Sequence, residues 1–140
     1  MKKFFKITGL LMMTAMLVTS CSKEKQLERR LFKKGGDWNV VQLRNFEYED
    51  GVLLYDDTYS NCGTFHFGKD GKGNYSFNIA GITDSGNFTW SNDETKVTID
   101  TDVYSVVKNE KDAVTLKFTE TYYESGYTYN YEETITLERK

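Results

Sequence analysis

Two glutamates, Glu120 and Glu133, fall on the apolar face of a predicted β-hairpin that spans residues 114–137. A two-residue turn at Ser125-Gly126 suits a tight hairpin, because glycine readily accepts the positive φ that such turns require. The turn sets the register and gives one face the following side chains: Val114, Leu116, Phe118, Glu120, Tyr122, Tyr129, Tyr131, Glu133, Ile135 and Leu137. The opposite face is mostly polar, so a slip of one residue would bury that polar set. The sequence therefore predicts one register, with two carboxylates among apolar neighbours.

A carboxylate on an apolar face must be hydrogen-bonded, paired with a base or protonated. Glu120 and Glu133 are diagonal neighbours in this register, about 7–8 Å apart at the backbone, and Tyr122 and Tyr131 are placed to donate hydrogen bonds to them. One interpretation is a polar-bottomed pocket for a cationic or hydroxyl-rich ligand. The other is a barrel that flares here, so that both carboxylates reach solvent. A glycosidase-like carboxylate pair is a third interpretation, but we expect no enzyme and no catalytic residues.

Other side chains suited to catalysis or metal binding are few. Cys62 lies four residues from the only histidine, His66, and an alternating strand would put both on one face. We favour a buried, inert thiol over a catalytic thiol with a histidine base. One histidine and the lack of Cys/His spacing exclude the usual zinc sites. We therefore expect no metal site and no cofactor.

Short β-strands are the elements that must position these residues. The chain contains no proline, and from Asp37 onward short alternating runs are separated by glycine, asparagine and aspartate, a pattern typical of antiparallel all-β domains. The predicted strands are 38–46, 52–59, 63–68, 74–80, 86–91, 95–100, 103–108, 113–123 and 127–138. Such a series predicts a small antiparallel up-and-down barrel of about eight to nine strands, because closure removes exposed edges.

The N-terminus has the features of an export signal. Three lysines precede a mostly apolar stretch at residues 7–18, which is too short to span a bilayer comfortably. It ends in Val18-Thr19-Ser20-Cys21, which resembles the lipobox of bacterial lipoproteins. The resemblance implies that residues 1–20 are removed as a signal peptide and that Cys21 is lipidated, which anchors the chain in a lipid bilayer. A plain secretory signal is the alternative.

The residues after Cys21 bear on location and on the start of the domain. By resemblance to the sorting rules of Gram-negative bacteria, Ser22 implies the outer membrane, with the periplasmic and cell-surface faces both open. Residues 21–36 form the lipidated cysteine and a tether, and 37–140 form the barrel domain. Leu27, Leu31 and Phe32 have helical spacing, so the tether is either a short amphipathic helix or a solvated spacer.

Net charge limits the partners of the mature chain. All 21 acids but only 15 of the 18 bases follow Cys21, which gives the mature chain a net charge of −6. Nucleic acid and anionic membrane surfaces are poor partners for such a chain, whose few basic runs lie beside the predicted anchor. The sequence therefore predicts no nucleic-acid binding.

Four segments of the domain carry a family resemblance: GGDWNVVQL, TFHFGKDGKGNYSFN, GNFTWSNDETKVTI and AVTLKF, within residues 35–138. Together they resemble the lipocalin-like domains of small Bacteroidetes lipoproteins. Gly36-Asp37-Trp38 fits the first G-x-W of that family, whereas three residues instead of one separate Gly86 from Trp90. The resemblance implies a small barrel and no catalytic residues, and it carries over no ligand.

Aromatic residues on alternating positions are either core or the lining of a cavity. Nineteen of the 21 aromatic residues follow the signal segment, and a barrel of eight strands has room for packed side chains or one small ligand. The candidate ligand-binding residues are Trp38, Phe67, Trp90, Phe118, Glu120, Tyr122, Tyr129, Tyr131 and Glu133. We expect an outer-membrane lipoprotein that binds a small apolar or amphipathic ligand. The alternative is a filled barrel that docks a cell-envelope protein through its outer surface.

Overall fold

The computed structural model describes residues 23–140. The predicted signal peptide and the predicted lipidation of Cys21 lie outside the described residues. Within them, no helix is long and apolar enough to cross a membrane.

Eight strands follow one another around a closed barrel, each antiparallel to its neighbours, with β1 paired to β8. Their bounds are β1 Asp37–Glu49, β2 Val52–Phe67, β3 Lys72–Ile79, β4 Ile82–Asn92, β5 Lys96–Ile99, β6 Asp102–Asn109, β7 Ala113–Glu124 and β8 Tyr127–Arg139. The predicted all-β, up-and-down barrel is thus confirmed. It has eight strands because the runs predicted at 52–59 and 63–68 belong to one long strand, β2.

A bulge in β1 changes which side chains point inward. Val40 pairs with Leu137 and Gln42 with Thr136, so Val41 is an extra residue that β8 does not match. Before the bulge Trp38 and Val40 are buried, and after it Leu43 is buried while Gln42 is exposed. The β1 side chains that point into the barrel therefore change from even-numbered to odd-numbered residues at Val41, as one inserted residue requires.

The first described residues close one end of the barrel, which we call the closed end. Residues 23–32 form a helix, α1, and Lys33–Gly35 a 3-10 turn. Leu27 and Leu31 of α1 have no exposed surface and belong to the core cluster of the barrel. Of the two alternatives for the tether, the structure therefore contains the amphipathic helix.

Backbone carbonyls of α1 and of the 3-10 turn accept hydrogen bonds from the barrel. Trp38 Nε1 donates to the carbonyl of Leu31 at 2.9 Å, and Arg139 donates to the carbonyls of Arg30 and Lys33. These bonds satisfy carbonyl groups that the end of a helix leaves without partners. The Arg139 guanidinium also lies 3.9 Å from the centre of the Trp38 ring, an arrangement that favours a cation–π contact.

The chain enters β1 through a glycine that no other residue could replace cheaply. Gly36 has φ +74°, and a Cβ atom there would lie 2.1 Å from the carbonyl oxygen of Phe67. Both the left-handed conformation and the close approach require glycine. This is the physical reason for the glycine of the Gly36-Asp37-Trp38 motif.

The opposite end of the barrel, which we call the mouth, is extended on one side. β2 pairs with β3 only over Gly63–Phe67, and the pairing of β6 with β7 ends at Lys117. Residues 42–60 of β1 and β2 and residues 117–134 of β7 and β8 therefore continue as a four-stranded sheet past the closed section. We call these two ranges the wall of the mouth.

Candidate functional site

The hairpin of β7 and β8 has the predicted register. Phe118 pairs with Glu133, Glu120 with Tyr131 and Tyr122 with Tyr129, and the turn is at Ser125-Gly126. Both turn residues have positive φ, as a two-residue turn that matches the strand twist requires. The inner face of this hairpin forms half of the wall.

Glu133 is held by two tyrosines at the foot of the wall. Tyr104 of β6 donates to Oε1 at 2.9 Å, and Tyr131 donates to Oε2 at 3.1 Å. Burial, followed by the charge of Glu133, raises the pKa of both hydroxyls well above the ordinary tyrosine value. Both phenols therefore stay protonated and act as hydrogen-bond donors to the carboxylate.

Two further carboxylates, Glu47 and Glu49, reach the same wall from β1. Tyr122 donates to Glu47 at 2.5 Å and Tyr129 to Glu49 at 2.7 Å. These hydrogen bonds raise the pKa of both tyrosines to about 12. The expectation that Tyr122 bonds to a glutamate of its own hairpin is wrong, because the β1 bulge turns Glu47 inward beside it.

Glu120 lies apart from this network. Its side chain is exposed, whereas Glu133 is partly buried. Glu120 therefore reaches solvent, as one interpretation of the pair expected for both residues, whereas Glu133 accepts hydrogen bonds from two tyrosines.

Tyrosine rings form the surface between these carboxylates. Tyr122 and Tyr129 stack with their centres 4.9 Å apart and their planes 10° from parallel. Phe118 packs against Tyr104 and Tyr131, with ring centres 5.5 Å and 6.3 Å apart. The wall thus combines carboxylates with aromatic faces, two groups that both attract cations.

The charge of the wall is strongly one-sided. Its two ranges contain nine acids and two bases, Arg44 and Lys117, a net charge of −7. Both bases are on outward positions and are bound to acids, Arg44 to Asp56 and Lys117 to Glu132. The inward face of the wall therefore contains acids and tyrosines with no base among its residues.

Trp38, Phe67 and Trp90 belong to the closed end. Trp38 and Phe67 have no exposed surface, and Trp90 is 8% exposed. Phe67 packs edge-on against Trp90 at 5.4 Å, and Trp90 Nε1 donates to the carbonyl of Gly68. In this structure they are core residues, because helix α1 and the aromatic cluster fill that end.

Cys62 and His66 are not a catalytic pair. Cys62 is 4% exposed, and burial raises the pKa of its thiol, which disfavours the reactive thiolate. His66 is bound to Asp37 instead, with 2.9 Å between Nδ1 and Oδ1. The buried, inert thiol is the interpretation that these contacts support.

A separate open groove of about 400 Å³ lies at the β3–β4 side of the barrel and is lined by Lys72, Gly73, Asn87, Phe88, Thr89 and Asp100. Asp100 there accepts hydrogen bonds from the backbone and hydroxyl of Thr89. The Asp100 carboxylate therefore already binds Thr89 and stabilises the turn after β5. The groove also lacks the paired tyrosines of the wall.

Sequence reasoning missed Glu47 and Glu49. Strict alternation from Trp38 would place both outside, and only the extra residue at Val41 places them inside. Strict alternation would also have placed Arg44 inside the barrel as a buried base without a partner. That costly position was the sign in the sequence that the alternation shifts within β1.

No model of a known protein family matches this chain, and no curated protein matches it.

Proposed function

We propose that this protein is a lipid-anchored envelope protein that binds a small organic cation at the mouth of its barrel. The observation that carries the ligand class is the inward wall, where Glu47, Glu49 and Glu133 are each bonded to tyrosine hydroxyls and no base is present. The lipocalin-like resemblance and the lipobox at Cys21 support the envelope location and the anchor.

The geometry favours an organic cation over a metal ion. Among residues 23–140, no three His, Cys, Asp or Glu side chains are grouped closely enough to hold a metal. Tyrosine hydroxyls bind both oxygens of Glu133 and one oxygen each of Glu47 and Glu49, while the rings of Tyr122 and Tyr129 stack beside them. A soft, weakly hydrated cation gains from such faces, with about 0.5–2 kcal/mol for each cation–π contact.

The test is titration calorimetry with choline and with its uncharged carbon isostere, dimethylbutanol. We expect choline to bind and the isostere not to, because the two differ in charge and not in shape. Glu47→Gln should weaken choline binding by roughly 5–30-fold, equivalent to about 1–2 kcal/mol. Glu110→Gln, the same chemical change at the closed end, is the matched control. Equal affinity for choline and its isostere would sink the proposal.

The anchor has its own test. Cys21→Ala should move the protein out of the membrane fraction, because the acyl chains supply most of the membrane affinity of such a protein. A Cys21→Ala protein that stays with the membrane would refute lipid anchoring. It would leave the ligand proposal to be decided by calorimetry.

A second candidate function is docking of an envelope protein. Val52, Leu53 and Leu54 at the tip of β2 are 67%, 49% and 47% exposed, and three consecutive exposed apolar residues are a feature of interaction sites. Crosslinking in the host from a photoreactive residue at position 53 tests this. A defined protein adduct that Leu54→Asp removes favours docking, and its absence favours the ligand-binding function.

A further inference from the structure

We infer that the closed end of the barrel is a membrane-facing surface that lies on anionic lipid headgroups and holds the mouth away from the bilayer. The inference rests on the proposed lipidation of Cys21 and goes beyond it. The anchor alone fixes where the chain is attached. The structure adds which face meets the bilayer and which chemistry it meets there.

The first step is the rigid attachment of α1 to the barrel. Leu27 and Leu31 are fully buried, and Arg30 donates to the backbone carbonyl and the side-chain oxygen of Asn109. At the other end of the helix, Asn92 Nδ2 donates to the carbonyl of Glu24 at 3.1 Å. The helix therefore cannot swing away without loss of core packing and of these bonds, and the barrel moves with it.

The second step is the length of the connection. Only Ser22 separates Cys21 from the first described residue of the helix, Lys23. Two residue steps reach at most about 7 Å. A lipid anchor at Cys21 therefore brings α1 to the level of the headgroups.

The third step is charge. Residues 23–36 contain six bases and two acids, a net charge of +4, and Lys23, Arg29, Lys33 and Lys34 are exposed. The turns 68–72, 93–96 and 108–112 and the segment 138–140, which share this end, hold seven bases and six acids, and Asp37 adds one acid. The closed end is therefore positive, whereas the wall is negative, although the whole chain is acidic.

The fourth step is distance. β8 has 13 residues, which at about 3.3 Å each and a tilt of about 35–45° place the two ends roughly 30 Å apart. This separation is several times the Debye length of about 8 Å at physiological ionic strength. Headgroup phosphates beneath the closed end thus attract its bases without repelling the wall. A tilt that brings the acidic wall close to the headgroup phosphates is opposed by charge repulsion, so the mouth stays open to solvent.

The experiment uses the acylated protein in vesicles whose headgroups carry a fluorescence quencher. One dye is attached at Gln26→Cys on the exposed side of α1 and, in a second sample, at Tyr123→Cys near the mouth. Buried Cys62 stays unlabelled. On phosphatidylcholine mixed with phosphatidylglycerol, we expect the first dye to be quenched and the second to be bright. On phosphatidylcholine alone, the second dye should be quenched severalfold more than on the anionic vesicles, because the attraction between the basic end and anionic headgroups is then absent.

On anionic vesicles, the double variant Arg29→Glu with Lys33→Glu should show as much quenching of the dye at Tyr123→Cys as the unmodified protein shows on phosphatidylcholine alone. The reason is that each base near an anionic surface changes the ratio of upright to tilted barrels about fivefold. The control reverses Arg44 and Lys117 on the outside of the wall, an equal charge change, and should leave the mouth dye bright.

Two results would overturn the inference, and they are distinguishable. If the dye on α1 is quenched while mouth quenching is equal on neutral and anionic vesicles, the anchor stands and the membrane-facing surface does not. If the dye on α1 is bright on every vesicle, the anchor fails, and the inference fails with it.

Discussion

The bond between Tyr104 and Glu133 gives the sharpest test of the site, and Tyr104→Phe is the change that isolates it. Tyr104 is 8% exposed, and its hydroxyl donates to a partly buried carboxylate at 2.9 Å. The substitution keeps the ring, including its contact with Phe118 at 5.5 Å, so the apolar packing is unchanged. What is lost is one hydrogen bond to a charged group.

The magnitude follows from that single loss. A hydrogen bond to a charged group contributes about 1.5–3 kcal/mol to the free energy of unfolding. Urea denaturation should therefore show Tyr104→Phe to be less stable by this amount. Tyr123→Phe, which removes a hydroxyl from a 73% exposed outer position, is the matched control and should change stability by less than about 0.5 kcal/mol.

A double-mutant cycle separates the bond from other effects of the substitution. The coupling between Tyr104→Phe and Glu133→Gln should be about 0.5–3 kcal/mol, as for residues in direct contact. A loss within experimental error of the Tyr123→Phe value, with no coupling, would refute the assignment of Tyr104 as the partner that holds Glu133.

The pH dependence has a definite sign. The folded protein holds the Tyr104 proton above the pH near 10 at which the unfolded chain releases it, because the pKa is raised in the fold. The stability contributed by the hydroxyl is therefore complete below pH 10 and is lost as pH rises further. Tyr104→Phe should show a smaller alkaline loss than the unmodified chain. Equal losses would mean that Tyr104 ionises alike in the folded and unfolded states.

Two other predictions concern the parts that support the site. Leu31→Ala should lower the free energy of unfolding by about 2–5 kcal/mol, since a fully buried leucine is removed from the core. Gln26→Ala, on the exposed side of the same helix, should have little effect. Equal denaturation midpoints for the two variants would show that α1 is not part of the folded core. Cys62 should react with a thiol reagent in denaturant and not in the native protein, because burial raises its pKa and blocks access; rapid labelling of the native thiol would contradict the inert interpretation.

The local pattern of the sequence determined the fold and the main hairpin. Alternation of apolar and polar residues, the absence of proline and the glycine-containing turns predict a closed antiparallel barrel, and these features act within a few residues of one another. The register of β7 and β8 follows from Ser125-Gly126 alone, because a two-residue turn leaves no freedom in pairing. Glu133 and Tyr131 were therefore placed correctly without the structure.

Only the tertiary structure decided what faces the inside of the mouth and what fills the other end. Glu47 and Glu49 turn inward because of one extra residue at Val41, and a bulge depends on pairing with two distant strands that no local pattern shows. Residues 23–32 close the barrel because Leu27 and Leu31 are buried in the core cluster that contains Trp38, and this cluster exists only once the barrel is formed. The sequence by itself shows that the mature chain has a net charge of −6 and that its most basic segment, residues 23–36, follows closely after Cys21. The fold decides that this segment lies at one end of the barrel, whereas strand pairing brings the nine acids of residues 42–60 and 117–134 together at the other end.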